Sequence, residues 1–583
     1  IAERCRILAV VGLHGNVFKP HTGTKTSVLF VQKWDDKLCP RREDYPIFFA
    51  TMQKPSKDNS GDKIFIPIDL RDEEKTLVVD HDLFNHEGKT QDGIAEAFIE
   101  FAKKERLSFF DSSSFDELHY KNLLEGLECT EILLSELENN FTIGSEYYLK
   151  KYINAAKLVI RHGNYKTLND ISKIITDGDH GEQIFEDTGV LYLLSESVEC
   201  GYIKIDKCRY ISKDKHENLK RSCLRYGDVV LTKTGVYFGK SAVIPPKITE
   251  ANTSSHVCKI SLKSGYNPYF VSTFLNSDYG YLQLRRRGIK ATRPEVSLQE
   301  ICDVLVPIFS DDFQKQIEKV VKLAHKNFET ADEVYKSAEK ILAQALHLED
   351  FKPSAKNTAE VTFSSFMNSG RLDAEFFMPK YDDIENKLAS EFKISDKFKL
   401  VKTTCDRTKD FYNYVEIGDV NISNGIAAPN LIATENLPDN AKIMTMAGDV
   451  LVSKVRPNRG AVAVLRENNL LVSGAFAVLR ASGDFSNNVL QVLLRLKVYR
   501  ELMLKFNVGT SYPVIKDEDV LNLPLPKIDA ETQGKIAALV EKSFNLRAES
   551  ERLLEVSKSA VEVAIERGED VAIKYLRGEN IGT

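Results

Sequence analysis

No two of the nine cysteines stand as a Cys-x-x-Cys pair, and their number is odd. A zinc ribbon or a disulfide framework is therefore not expected, and scattered thiols suit a reducing cytoplasm. Long apolar runs are missing too. Stretches such as "ILAVVGL" (7–13) fall far below the roughly 20 residues that a membrane helix needs. The opening "IAERCR" has no charged-then-apolar targeting pattern. It does not begin with Met, and the polypeptide is expected to continue upstream. A large excess of positive charge is absent: 79 Lys and Arg stand against 85 Asp and Glu, a net charge of −6. That excludes a wholly basic nucleic-acid coat and leaves local patches open. No nucleophile elbow appears, and the histidines are dispersed. "DGDHGE" (177–182) alternates acids as a calcium loop does, but lacks that motif's glycine and distant glutamate, so a polar turn is expected.

The nearest approach to a nucleotide motif is "GVYFGKS" (235–241). A P-loop needs four residues between its glycines and must open a helix; here Gly235 and Gly239 enclose three, and Pro245 and Pro246 soon follow. The preceding "GDVVLTKTG" is β-branched, so the segment reads as the tip of a β-hairpin.

What is present is a repeat. "YGDVVLTKTGVYFGKSAVI" (226–244) lies over "AGDVLVSKVRPNRGAVAVL" (447–465) without a gap. Gly227 meets Gly448, Asp228 meets Asp449, Lys233 meets Lys454 and Gly239 meets Gly460. "VPIFSDDFQKQI" (306–317) matches "LPKIDAETQGKI" (525–536), and "SEYYLKKY" (145–152) resembles "AEFFMPKY" (374–381). Three matches in one order, each roughly 220 residues apart, exceed any solenoid period and indicate a duplicated domain with its connector. Lys240 and Ser241 become Ala461 and Val462, so what the copies share is the hairpin, while the tips differ most.

Each copy has a β-rich globule followed by a long helical pattern. Ile317, Val320, Val321, Ala324, Phe328, Ala331, Val334, Tyr335, Ala338, Ile341, Leu342 and Ala345 fall at spacings of three and four, and Ile536, Leu539, Val540, Ser543, Phe544, Leu553, Val556, Ala560 and Val563 do much the same. Each helix would run about 50 Å. One apolar stripe on so long a helix needs a partner, and the other copy is the expected one, as an antiparallel coiled coil. Residues 1–112 form a separate region: "RILAVVGLHGNVFKP" and "KTSVLFVQK" read as two buried strands, 92–105 as an amphipathic helix, and "DSSSFDE" (111–117) as a linker capping a helix through 116–139.

From about 145 to 565 the chain resembles the specificity subunit of type I restriction-modification systems, on the repeat, the "GDVVLTKTGVYFGKSAVI" hairpin, the Pro-x6-Gln-x-x-Ile entry to each long helix, and "RLDAEFFMPKY". "VVGLHGNVFKPHTGTKTSVLFVQKW" resembles the C-terminal end of an N6-adenine DNA methyltransferase, whose glycine-rich cofactor loop and Asn-Pro-Pro-Tyr motif do not occur in this sequence. Asn267-Pro268-Tyr269 is one proline short of that motif and reads as a helix cap with proline in the first turn.

The resemblance implies an α+β chain with two duplicated β-rich target-recognition domains joined by long antiparallel coiled-coil helices, behind an α/β methyltransferase-tail fragment. The expected divisions are 1–112 methyltransferase fragment, 113–152 helical linker, 153–308 first recognition domain, 309–350 first spacer helix, 351–394 linker and lead-in helix, 395–527 second recognition domain and 528–576 second spacer helix. It implies a cytoplasmic, non-catalytic subunit that recognises a bipartite duplex DNA site. Adenine methyltransferase subunits would dock on the spacer helices and carry the S-adenosylmethionine; an ATP-dependent endonuclease would complete a restriction complex. The chain itself would hold no cofactor. The alternative is the recognition portion of a single-chain bifunctional methyltransferase; a protein-binding coiled-coil scaffold is a third reading.

Candidate DNA-binding residues follow from local charge. "LQLRRRGIKATR" (282–293) holds Arg285, Arg286, Arg287, Lys290 and Arg293 with no acid, enough to neutralise several phosphates; the alternative is a solvated helix C-terminus. The matching "LKFNVGTSYP" (504–513), which includes Tyr512, has much less charge. The tips supply Lys233, Tyr237 and Lys240 in the first copy and Lys454, Arg456 and Arg459 in the second. Arg and Lys suit guanine edges and Asn suits adenine, against the alternative of ordinary solvent hairpins.

Overall fold

The computed structural model describes residues 1–67, 77–86, 93–108, 114–137, 143–288, 293–509 and 511–579. It mixes helix and sheet. The chain divides into two compact units, residues 1–321 with 554–583, and residues 322–553.

The first unit opens on a four-stranded sheet. Its strands Cys5–Gly12 and Pro46–Thr51 are parallel and buried, as continuous apolar runs predict. Two expectations change here. Ser27–Lys33 is not buried: it is an edge strand, antiparallel to Cys5–Gly12, with Val28, Phe30 and Val31 exposed. The helix that Asp116 caps runs only through Glu117–Gly126, and Cys129–Leu133 joins the sheet against Pro46–Thr51. Gly126 is poor helix material, and the β-sheet pairing that follows claims the β-branched residues Thr130 and Ile132. Of the "DSSSFDE" segment, residues 111–113 lie outside the described residues. The lead-in 145–148 is a short 3-10 turn whose Tyr147 and Tyr148 are buried against this sheet, with the rings of Phe49 and Tyr148 4.2 Å apart.

Farther along, a four-stranded antiparallel sheet runs in the order Ser241–Val243, Val229–Thr232, Val257–Leu262, Ser172–Asp177. Val229–Thr232 is buried throughout, because both faces of this central strand are covered. A companion sheet sets Val190–Leu193 antiparallel to Arg209–Ile211 and parallel to Ala251–Thr253. Asn267 caps the following helix Pro268–Asn276: its Oδ1 accepts from the Tyr269 and Phe270 amides at 3.0 and 3.2 Å, and its Nδ2 donates to Glu318 at 2.5 Å. The Oδ1 thus caps the helix, as the capping reading expects.

In the second unit a four-stranded antiparallel sheet runs in the order Val462–Val464, Val450–Ser453, Phe476–Ala481, Phe398–Leu400. Read by position along the chain, this is the strand order of the first unit's sheet. Its companion sheet again sets one strand, Phe411–Val415, antiparallel to the next, Asn430–Ala433, and parallel to a later one, Leu471–Ser473; Ala441–Met444 is added at the edge.

The long helices are Asp311–Ala345 and Ala530–Arg567. The unit boundaries fall inside both. Within the second unit they pair antiparallel. Ser543 Oγ donates to the Ala331 carbonyl and Ser550 Oγ to the Ala324 carbonyl, each at 2.7 Å, one heptad apart on both helices. Tyr335, Ala338 and Leu342 pack there with Ile536, Val540 and Phe544 in the core that also holds Val450 and Val452.

Candidate nucleic-acid interface

The two antiparallel four-stranded sheets that share a strand order each send out one hairpin tip between two adjoining strands. In the first unit it is Gly235–Tyr237, leaving Val229–Thr232 and returning along Ser241–Val243. Gly235 and Gly239 sit at φ +76° and +85°, backbone that favours glycine and turns the chain sharply. The tip is pinned on both sides. The Gly235 amide donates to the Pro294 carbonyl at 3.0 Å, Thr232 Oγ1 donates to the Tyr237 carbonyl, and Phe238 is buried, its ring edge-on to Tyr281.

Both lysines of this tip are ion-paired, each to a carboxylate shared with a second cation. Lys233 is buried, and its Nζ lies 2.9 Å from Asp177 Oδ2, at the end of the neighbouring edge strand. Arg221 and His180 reach the same carboxylate at 3.3 and 3.2 Å. Burial works to raise the Asp177 pKa, but the Lys233 hydrogen bond and charge outweigh it and hold the carboxyl below its ordinary range. Lys240 Nζ lies 2.5 Å from Glu199 Oε2, which Lys204 also holds at 2.6 Å, and stands 5.3 Å over the Tyr237 ring. Lys233 thus departs from the expected DNA-facing role: an ion pair closes the base of the hairpin with it, because a buried ammonium requires a counter-charge. Tyr237 is half-buried beside Lys240.

The second tip, Pro457–Arg459, is built differently on the same sheet position. Arg456 adopts a left-handed φ of +51°, and its amide donates to the Pro513 carbonyl at 2.7 Å. Its guanidinium stands 5.3 Å over the ring of Tyr512, which is itself exposed. Arg459 is exposed, Pro457 is buried, and Gly460 at φ +76° closes the turn. Neither Arg456 nor Arg459 has a carboxylate partner among the described residues. Lys454, the counterpart of Lys233, pairs with Asp517 at 2.9 Å and is less buried.

The basic stretch after the first sheet splits. Arg285, Arg286 and Arg287 form the last turn of the helix Asp278–Arg287. Two of them depart from expectation. Arg286 is buried, with Nε donating to the Tyr147 carbonyl at 2.9 Å and the guanidinium 4.1 Å over the Tyr147 ring. Arg287 is buried and donates to the carbonyls of Gln283 and Asp303 at 3.1 and 3.4 Å. Successive helical residues point about 100° apart, so a run of three cannot share one face. Arg285 is half-exposed and Arg293 exposed; Lys290 lies outside the described residues.

Sequence reasoning passed over Arg221 and His256, and took His180 only as part of a polar turn. All three are exposed at the same end of the first sheet as the tip, where Ser172–Asp177 and Val229–Thr232 end and Val257–Leu262 begins. Only the strand register brings them together, so no local motif announces them. Among the described residues no group of three or more His, Cys, Asp or Glu is placed to hold a metal ion, and no helix is long and apolar enough to cross a membrane.

Neither a protein-family model nor a curated protein matches this chain. Among solved structures, the chain is similar to an HsdS subunit from Thermoanaerobacter tengcongensis, at 16% identity over 70% of this chain and 97% of that one, with a TM-score of 0.25. It is similar to the type I restriction-modification system S subunit from M. genitalium at 11% identity, over 71% and 95% of the two chains, with a TM-score of 0.35. It is also similar to the type IIG restriction endonuclease BpuSI at 10% identity, over 54% and 38%, with a TM-score of 0.28.

Proposed function

We propose that this chain recognises duplex DNA sequence-specifically, as the specificity component of an N6-adenine methyltransferase complex of the type I restriction-modification kind. Each β-rich region reads one half of a bipartite site, and the two are copies of one recognition domain. The long helices pair as a coiled coil that sets the spacing: about 50 Å of helix corresponds to about 15 base pairs. Catalysis and S-adenosylmethionine binding belong to the methyltransferase that docks on those helices. The identical strand order of the two sheets and the sequence repeat that runs through them support the duplication.

One observation carries the DNA-binding reading: the second tip holds two exposed arginines, Arg456 and Arg459, with no carboxylate among the described residues to neutralise them, one of them stiffened by a left-handed backbone and an aromatic face. In a chain of net charge −6, two such cations on a rigid turn suit phosphate or a guanine edge. Fluorescence anisotropy of the full chain with random-sequence duplex tests it. Binding that weakens steeply with salt is expected; failure to bind at low salt sinks the proposal and favours a protein-binding scaffold.

A second reading joins catalysis and recognition in one polypeptide. It is favoured by the packing of the N-terminal sheet onto Tyr147 and Tyr148 within the first unit, which would tie a methyltransferase body directly to the first recognition domain. A glycine-rich cofactor loop and Asn-Pro-Pro-Tyr encoded upstream in the same reading frame would decide for it.

A further inference from the structure

We propose that Val236, at the apex of the first tip, reads the 5-methyl group of a thymine in the major groove. This rests on the DNA-recognition reading above and assigns that site's first half. With Lys233 held by Asp177 and Lys240 by Glu199, the lysines of this tip are already engaged in ion pairs. What the tip presents is a valine side chain at 90% exposure.

A single exposed apolar residue is ordinary on a protein surface. Two features set this one apart. First, the tip is rigid: buried Phe238 and the ion-paired Lys233 anchor its two sides, and the Gly235 amide is bonded to Pro294. Val236 is therefore held out. Second, Arg221 and Arg293 are exposed around the same sheet end, so the apolar apex has arginines beside it. An apolar group on a rigid projection flanked by cations fits a polyanion that displays a methyl group. In duplex DNA the thymine 5-methyl is that group, and it lies in the major groove, where apolar side chains contact it.

The test uses a duplex recovered from a randomised pool by the full chain. Each thymine is replaced in turn by deoxyuridine, which removes the methyl and leaves pairing intact. Wild-type chain should lose affinity about fourfold at one position, the factor that burial of one methylene-sized group confers. Val236→Ser should lose about the same on the thymine duplex and be indifferent to uracil at that position; Val236→Ile should keep the methyl dependence. Specific binding by the wild type without any uracil-sensitive position overturns the proposal and leaves the DNA-recognition reading standing. Uracil sensitivity that persists in Val236→Ser assigns the methyl to another residue and also overturns it. If the full chain recovers no preferred duplex from the pool, the DNA-recognition reading falls and this proposal falls with it.

Discussion

The two hairpin tips share a sheet position and differ in what balances their charge. In the first, Lys233 is held by Asp177 at the end of the neighbouring edge strand and Lys240 by Glu199. In the second, Arg456 and Arg459 face solvent unpaired by any carboxylate among the described residues, and Lys454 alone is tied, to Asp517. The difference lies first in the tip residues: Arg456 and Arg459 stand where the first tip has Gly235 and Phe238. The lysine partners differ as well. Ser172–Asp177 has six residues and ends on the aspartate that captures Lys233. Its counterpart Phe398–Leu400 has three residues and continues into Val401 and Lys402, and Lys454 pairs with Asp517 instead. Under the proposed function, tips of different character at one sheet position suit two different half-sites.

Removing Asp177 should break the first tip hardest. Asp177→Ala leaves Lys233 buried with no counter-charge, a loss of about 3–5 kcal/mol. Asp517→Ala frees the more exposed Lys454 and should cost below about 1 kcal/mol. Denaturant unfolding of both variants measures the contrast; equal losses would contradict the different roles assigned to the two lysines. Next in size is the double variant Arg456→Ala and Arg459→Ala. It should weaken DNA binding by about 1–3 kcal/mol for each arginine that reads a base, or lower the salt slope by about one for each arginine that meets a phosphate. Stability should stay within about 0.5 kcal/mol, as for exposed sites generally. Smaller again, Arg286→Ala should destabilise the first unit by about 1–2 kcal/mol, because the hydrogen bond to the Tyr147 carbonyl and the stacking on the Tyr147 ring both go, while Arg293→Ala leaves stability unchanged.

The smallest effect expected is one of pH, and it sharpens the same contrast. Hydrogen bonds from Lys215 and Gln183 lower the Asp179 pKa to about 2, and Asp177 is held down as well. A carboxyl depressed in the folded state contributes its stability fully above its unfolded pKa, near 4, and loses it as pH falls toward the folded value. Acid should therefore loosen the first tip between about pH 4 and pH 2, seen as amide-exchange protection that fades around Lys233 before it fades around Lys454.

The hairpins, the helix cap at Asn267 and both long helices were readable in the sequence, because glycine turns, β-branched runs and three-four spacings are local signals. The fate of the cations was hidden. Lys233 and Lys454 align, and nothing near either one reveals that Asp177, 56 residues away, reaches only the first. The triplet Arg285–Arg287 looked like one patch because charge is counted along the chain, whereas a helix distributes neighbours around its axis and turned two of the three into the core. The strand Cys129–Leu133 was hidden for a related reason: its apolar pattern fits a helix as well, and only pairing with Pro46–Thr51 decides.

Whether two regions read two half-sites is best decided by selecting binding sites from a randomised duplex pool with the full chain and with its Arg456→Ala, Arg459→Ala variant. The unmodified chain should yield two preferred blocks separated by an unspecified spacer, and the variant should lose base preference in one block only. Blocks that weaken together, or a single continuous site, would contradict the assignment of one half-site to each region.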